Sequence, residues 1–296
     1  MKRVLAILLV IGMLFTLTPA LAERVPGDFI EAVEQILFDT HNMTLSGNAA
    51  LTLDGQDFKD VHGTYIQDDY RSMTDLYLLN KAEDGTEVDT GYTIVAEDST
   101  AYSLLHYNAG AFRPVTIYPS NVLMTKTKSI EHALGIVNPL LELLLSNKGI
   151  LTLREDEAQN CLLDLHVNKK NAPLLTNTAL NMLYDFVIDK FFARYISQTI
   201  VAGRNTQLTD YPTLTAGIVN CTRSVALKEL NLTVKMDEEG RITDAVGSGT
   251  LILKLTNKTE HELSITLDLT LRDYGTSRIN LNDYLTLPGN VTVPAA

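Results

Sequence analysis

The side chains best suited to chemistry are six histidines, two cysteines and a surplus of carboxylates, and their spacing sets up no ready-made site. His41, His62, His106, His132, His166 and His261 contain no pair at the i,i+4 spacing that places two imidazoles on one helical face, so a metal site would have to be assembled wholly by tertiary folding. His106 and His166 lie in strand-like runs and read as structural or surface side chains. Asp54, Asp57, Asp60, Asp68-Asp69, Glu155 to Glu157 and Asp237 to Glu239 fall in segments that read as turns, where a solvated carboxylate bonds its own backbone. None of them has the loop spacing that wraps oxygen ligands around calcium. Nucleophile elbows, Ser-x-x-Lys, glycine-rich phosphate loops and His-Glu-x-x-His are all absent. The sequence therefore points to no catalytic residue, no metal and no cofactor. Paired acids of a glycoside hydrolase stay open as a lesser alternative, with Trp, a common sugar-stacking platform, missing. Cys161 and Cys221 lack Cys-x-x-Cys spacing and read either as a disulfide or as two buried thiols.

Two groups of apolar and aromatic residues offer binding chemistry instead. Tyr65, Tyr70, Tyr77, Tyr92, Tyr102, Tyr107, Phe112 and Tyr118 crowd one third of the chain, and each tyrosine can turn an apolar body and a polar tip to a core or to a ligand. Leu175, Met182, Phe186, Phe191, Phe192 and Tyr195 recur at helical spacing and make a broad apolar face. Tyr77, Tyr92, Tyr102, Met182, Phe186, Phe191 and Tyr195 are the candidate lining of a ligand cavity; ordinary core packing is the competing reading.

Charge narrows the choice of ligand. Lys and Arg number 24 against 36 Asp and Glu, a net charge of −12, which repels the phosphates of nucleic acid. Residues 1–22 read as a secretory signal peptide: Lys2 and Arg3 precede the apolar run Val4 to Leu17, and Pro19-Ala20-Leu21-Ala22 supplies a small-residue cleavage site. The run is shorter than the roughly 20 residues that span a bilayer, and neither cysteine stands where a lipid anchor would be attached. The expected product is a soluble, extracytoplasmic chain, 23–296, with no membrane-spanning segment and 22 basic against 36 acidic residues, a charge of −14.

The elements that must position these groups alternate in period. Asp28 to Thr40 reads as a short amphipathic helix; from Met43 onward the period becomes two, giving strands near 43–53, 63–67, 73–80, 91–96 and 101–107. Helices are predicted near 129–146 and 173–199, a strand pair at 149–154 and 160–167, and three long strands at 230–236, 241–256 and 263–271. Grouped helices and short strand connections make this an α+β pattern with an antiparallel sheet, in a single domain after the signal.

The stretch Gly47-Asn-Ala-Ala-Leu-Thr-Leu-Asp-Gly-Gln-Asp-Phe58, with Gly63-Thr-Tyr-Ile-Gln67, and the later Gly240-Arg-Ile-Thr-Asp244 leading to Leu267-Asp-Leu-Thr-Leu-Arg-Asp-Tyr-Gly275, resemble small exported proteins of Gram-positive, clostridia-like bacteria whose domains look like the LolA, LppX and RseB lipoprotein-carrier fold. That resemblance implies a strongly curved antiparallel sheet, an unclosed half-barrel, covered on its concave face by helices. It also implies a non-enzymatic, cell-envelope-associated binding protein for an apolar or lipid-like ligand. A structural or regulatory domain with an envelope protein partner is the alternative, and an exported hydrolase the third.

Overall fold

The computed structural model describes residues 25–81, 87–89, 91–97, 100–106, 113–116, 121–123, 126–128, 131, 134–135, 150–156, 160–172, 176–178, 180–181 and 222–279. The segment read as a signal, most of the two later predicted helices and Cys221 lie outside them. Helix α1, Val25–Phe38, carries Pro26 in its first turn, where the missing N–H costs no helical bond. Ala32, Val33, Ile36 and Leu37 form its buried face, and the ammonium of Lys126 lies 5.1 Å from the Phe38 ring centre.

Twelve strands follow: β1 (Asn42–Leu53), β2 (Gln56–Asp68), β3 (Arg71–Lys81), β4 (Glu87–Asp89), β5 (Tyr92–Glu97), β6 (Thr100–Leu105), β7 (Arg113–Thr116), β8 (Leu151–Glu155), β9 (Cys161–Asn168), β10 (Thr222–Met236), β11 (Ile242–Leu255) and β12 (Glu260–Arg272). They form one antiparallel sheet in the order β7-β6-β5-β3-β2-β1-β12-β11-β10-β9-β8, with β4 paired off this path to β3. Two meanders are joined where β1 pairs with β12, from Thr44 opposite Arg272 to Leu53 opposite Leu263.

The antiparallel sheet is as expected, but the strongly curved half-barrel roofed by helices is not. The sheet is open, with β7 and β8 at its two edges, and is not strongly curved; among the described residues there is only one long helix, α1. Period-two alternation tells which side of a strand is dry, but not the arc along which strands are laid or how many helices lie on that side. Of the predicted helices, Lys128, Glu131, Leu134 and Gly135, and then Thr176–Thr178, Leu180 and Asn181, are helical among the described residues. Strands β4 and β7, of three and four residues, were too short to show a period, while Asp57 and Asp60 lie inside β2 and not in a turn.

Where strand pairing runs out, side chains take over. Strand β9 covers β10 only as far as Glu229, opposite Asn168. Ahead of that point, Asn181 makes a two-way amide clasp with Val225: its Nδ2 donates to the Val225 carbonyl and its Oδ1 accepts the Val225 N–H, each at 2.7 Å. One turn earlier, Asn177 Oδ1 accepts the Leu227 N–H at 3.0 Å. The two asparagines are spaced i,i+4, so one helical face stands in for the missing strand and blunts an exposed edge. Asn181→Ala leaves both groups of Val225 without these partners and is expected to lower unfolding free energy by about 1–3 kcal/mol, read from urea denaturation.

The β1–β2 turn is tied to β12 by Asp54. Its backbone is left-handed (φ 50°), its Oδ1 accepts the Glu262 N–H at 2.8 Å and its Oδ2 lies 2.7 Å from His261 Nδ1. The Glu262 amide, and then His261, hold the Asp54 carboxyl below its ordinary value near 3.8. A depressed carboxylate stabilises the fold above its unfolded pKa, and that contribution is lost as pH falls through the folded value. The stability gap between the native chain and Asp54→Asn is therefore expected to be present at pH 7 and to shrink toward pH 3, measured as urea midpoints.

Candidate functional site

Alternation gives the sheet two chemically different faces. The dry face takes Met43, Leu45 and Ala49 from β1, Val61 and Tyr65 from β2, Leu76 and Leu78 from β3, Tyr92 and Ile94 from β5, Leu263, Ile265 and Leu267 from β12, Leu251 and Leu253 from β11, Leu230, Leu232 and Val234 from β10, and Leu163 and Leu165 from β9, all buried. Residues of α1 belong to the same core. At its centre the side chains shrink: cross-strand register lines up Ala245, Leu269, Gly47, Gly63 and Leu76 in one row, and Gly247, Leu267, Ala49, Val61 and Leu78 in the next. Leucine tips lie over the bare backbone. A Cβ added at Gly47 would stand 2.6 Å from Leu269 Cδ2, and one at Gly247 would stand 2.8 Å from Leu232 Cδ1. Small voids of about 20 and 10 Å³ remain beside these glycines, lined by Leu45, Val61, Leu76 and Leu269 in the first and by Leu230, Leu232, Ile265 and Leu267 in the second. The result is a trough floored by backbone and filled by flexible aliphatic side chains.

The opposite face carries the polar chemistry. Near β4, His106 sits between two carboxylates: its Nδ1 lies 2.8 Å from Asp89 Oδ2 and its Nε2 3.4 Å from Asp75 Oδ1. Asp89 Oδ1 also accepts the N–H groups of Leu78 at 3.0 Å and Gly91 at 2.8 Å, which fixes the end of β4 against β3. The Thr93 hydroxyl is 3.0 Å from His106 Nε2, so Asp89, His106 and Thr93 form a relay. The relay does not present a nucleophile, because the buried Thr93 hydroxyl donates its proton to Asp75 at 2.7 Å. Tyr77 lies between two imidazoles, stacked on His62 with ring centres 4.7 Å apart and tilted against His106 at 4.5 Å. Asp75, partial burial and Asp89 together raise its phenol above the ordinary value.

The tyrosines proposed as cavity lining are split between the faces. Tyr92 is buried in the core of the dry face, whereas Tyr77, exposed, and Tyr102, half-buried, belong to the opposite one. Tyr102 packs in a satellite cluster of Met73, Val95 and Ile279, which the chain reaches after crossing the sheet end, where Ile279 N–H donates to Asp68 Oδ2 at 3.1 Å. Met182, Phe186, Phe191 and Tyr195 lie outside the described residues. Cys161 opens β9, half-buried, its thiol raised first by burial and then by Glu155; Cys221, the other cysteine of the disulfide-or-thiols alternative, is outside the described residues. The glycine trough and the stack of His62, Tyr77 and His106 escaped the sequence reading. The signal for the first was the shared parity of Gly47, Gly63 and Gly247 with their leucine neighbours. Among the described residues no group of three or more His, Cys, Asp or Glu is arranged to hold a metal, and no helix is long and apolar enough to cross a membrane.

Among solved structures the chain has a distant likeness to a LolA superfamily protein from Nitrosomonas europaea, 8% identical over 88% of this chain and 98% of that one, with a TM-score of 0.23. It also resembles an acyl-ACP thioesterase from Bacteroides thetaiotaomicron (10% identity, 77% of each chain, TM-score 0.12) and the dehydratase domain of the polyketide PpsC from Mycobacterium tuberculosis (8%, 86% and 84%, TM-score 0.12). No protein-family model and no curated protein matches it. These likenesses assign no function; the two-faced sheet and its trough define the site.

If the trough depends on bare backbone, a single methyl should disturb it. A Cβ at Gly47 would stand 2.3 Å from the Asp268 carbonyl oxygen, whereas one at helical Gly135 meets nothing within 4 Å. Gly47→Ala is expected to cost about 1–3 kcal/mol and Gly135→Ala to stabilise by roughly 0.5–1 kcal/mol, both measured by urea denaturation.

Proposed function

We propose that this chain is a non-enzymatic, exported binding protein that holds an apolar or lipid-like ligand against the dry face of its sheet. The observation that carries the reading is the glycine- and alanine-floored trough in a face otherwise built of large apolar side chains. The glycines cannot simply be filled, since a Cβ at Gly47 or Gly63 would stand 2.3 Å from a backbone carbonyl oxygen, so the floor of this face is bare backbone reached only by the tips of neighbouring leucines. Leaving Gly47, Gly63, Gly247 and Ala49 small supports a surface that a slender alkyl chain can enter once the tips of Leu232 and Leu269 swing aside. Leucine rotamers exchange at far lower cost than backbone, so the occupant would replace side chains and not strands. The locked Thr93 hydroxyl supports the non-enzymatic part of the reading, and the leader-like residues 1–22 support export.

A titration of the chain 23–296 with the fluorescent polyene fatty acid cis-parinaric acid, followed by competition with palmitate, tests this. Saturable, palmitate-displaceable binding is expected. Ala49 stands between Leu267 and Val61, so Ala49→Phe should fill the trough and weaken binding by about tenfold or more. A lack of saturable binding by the native chain, or equal affinity in a folded Ala49→Phe variant, would sink the reading.

A further inference from the structure

The polar face carries a second feature, set apart from the apolar trough. Across β10, β11, β12 and β1 it sinks into an open depression of about 500 Å³, walled by Asn231, Thr233, Val246, Ser248, Thr266 and Asp268 together with Asn48. That volume falls in the range of small-ligand sites, about 300–1,000 Å³. Its polar groups fall into two sets. Asn231 and Thr233 are occupied: Asn231 Oδ1 meets His166 Nδ1 at 2.5 Å, and the Thr233 hydroxyl donates to Asp164 at 2.6 Å. The side chains of Asn48, Ser248, Thr266 and Asp268 are exposed and make no hydrogen bond or ion pair among the described residues. They lie side by side, Asn48 opposite Asp268 and Ser248 opposite Thr266, and Val246, 50% exposed, faces Asp268.

Register carries this depression straight into the aromatic stack. One cross-strand row reads Thr233, Val246, Asp268, Asn48, His62 and Tyr77, with His106 stacked beyond. Tyr77 covers one side of the His62 ring, and the other side is turned toward β1 and Asn48. The surface therefore combines an aromatic wall, one aliphatic side chain, an amide, two hydroxyls and a carboxylate, all free to bond. Uncharged polyols match this set: ring C–H groups lie against imidazole and valine, while hydroxyls donate to Asp268 and exchange bonds with Asn48, Ser248 and Thr266. Phosphate- or carboxylate-bearing ligands are opposed by Asp268 and by the net charge of −12. An extended peptide would seek a strand edge, which this central surface does not offer.

We propose that this depression, together with His62, binds a neutral oligosaccharide, giving the protein a glycan-binding face opposite its apolar one. The chain 23–296 is titrated calorimetrically with maltohexaose, cellohexaose and the hexamer of N-acetylglucosamine. At least one is expected to bind, and Asp268→Ala and His62→Ala are each expected to weaken it about tenfold or more. Thr152→Ala, on the same face at the far edge of the sheet, leaves it unchanged. Should either alanine variant fail to fold, Asp268→Asn and Thr266→Val keep the volumes and provide the same contrast. Binding of none of the three sugars, or binding that survives the site variants, overturns the proposal. Because the fatty acid and the sugars are read on opposite faces, failure of one leaves the other standing.

Discussion

The pairing of β1 with β12 is the constraint on which everything else rests. It joins residues 42–53 to residues 260–272, more than 200 positions apart, and without it the N-terminal and C-terminal meanders would be separate sheets, each with a raw edge. Closing so long a loop is entropically costly, yet the cost grows only with the logarithm of loop length, and a continuous ladder with aliphatic side chains on one face offsets it. Asp54 strengthens the same seam from the turn, accepting the Glu262 amide and meeting His261. At the opposite end, the chain leaving β12 bonds back to the start of β1 through Gly275 N–H and the Asn42 carbonyl at 3.0 Å.

That seam also places both proposed binding surfaces. Gly47 and Ala49 belong to β1 and Leu267 and Leu269 to β12, so the trough straddles the junction; on the other side of the same strands stand Asn48, Thr266 and Asp268. A slip of one residue by β1 in this register would turn Gly47 and Ala49 to water and Asn48 into the core, breaking both surfaces at once. Bare backbone at the centre of the dry face and short polar groups at the centre of the wet one are two consequences of one alignment. The stack of His62, Tyr77 and His106 is held at the flank by Asp89, whose two oxygens serve a strand amide, a turn amide and an imidazole at once.

Local chemistry was legible in the sequence wherever it was decided within a few residues. The alternation of Leu263, Ile265, Leu267, Leu269 and Leu271 announced β12, and the acidic turn at 237 to 240 is built as turn residues predict, with Asp237 Oδ1 accepting the amides of Glu239 and Arg241 at 3.1 and 2.9 Å. What depended on partners far along the chain was not legible. Tyr77, Tyr92 and Tyr102 look equivalent as a list, yet their parity and pairing divide them between two faces. His106, read as a structural or surface side chain, is held by carboxylates from β3 and β4, and nothing in its neighbours along the chain announces them. The open form of the sheet likewise reflects how twelve strands are laid beside one another, which no single strand records.

Whether the dry face takes an alkyl chain is tested most directly by native mass spectrometry of the protein purified without detergent or organic solvent. A population heavier than the polypeptide by the mass of a lipid is expected, one that reverts to the bare polypeptide mass on denaturation and whose organic extract contains that lipid. A single species at the polypeptide mass, unchanged after incubation with lipid vesicles, would contradict it.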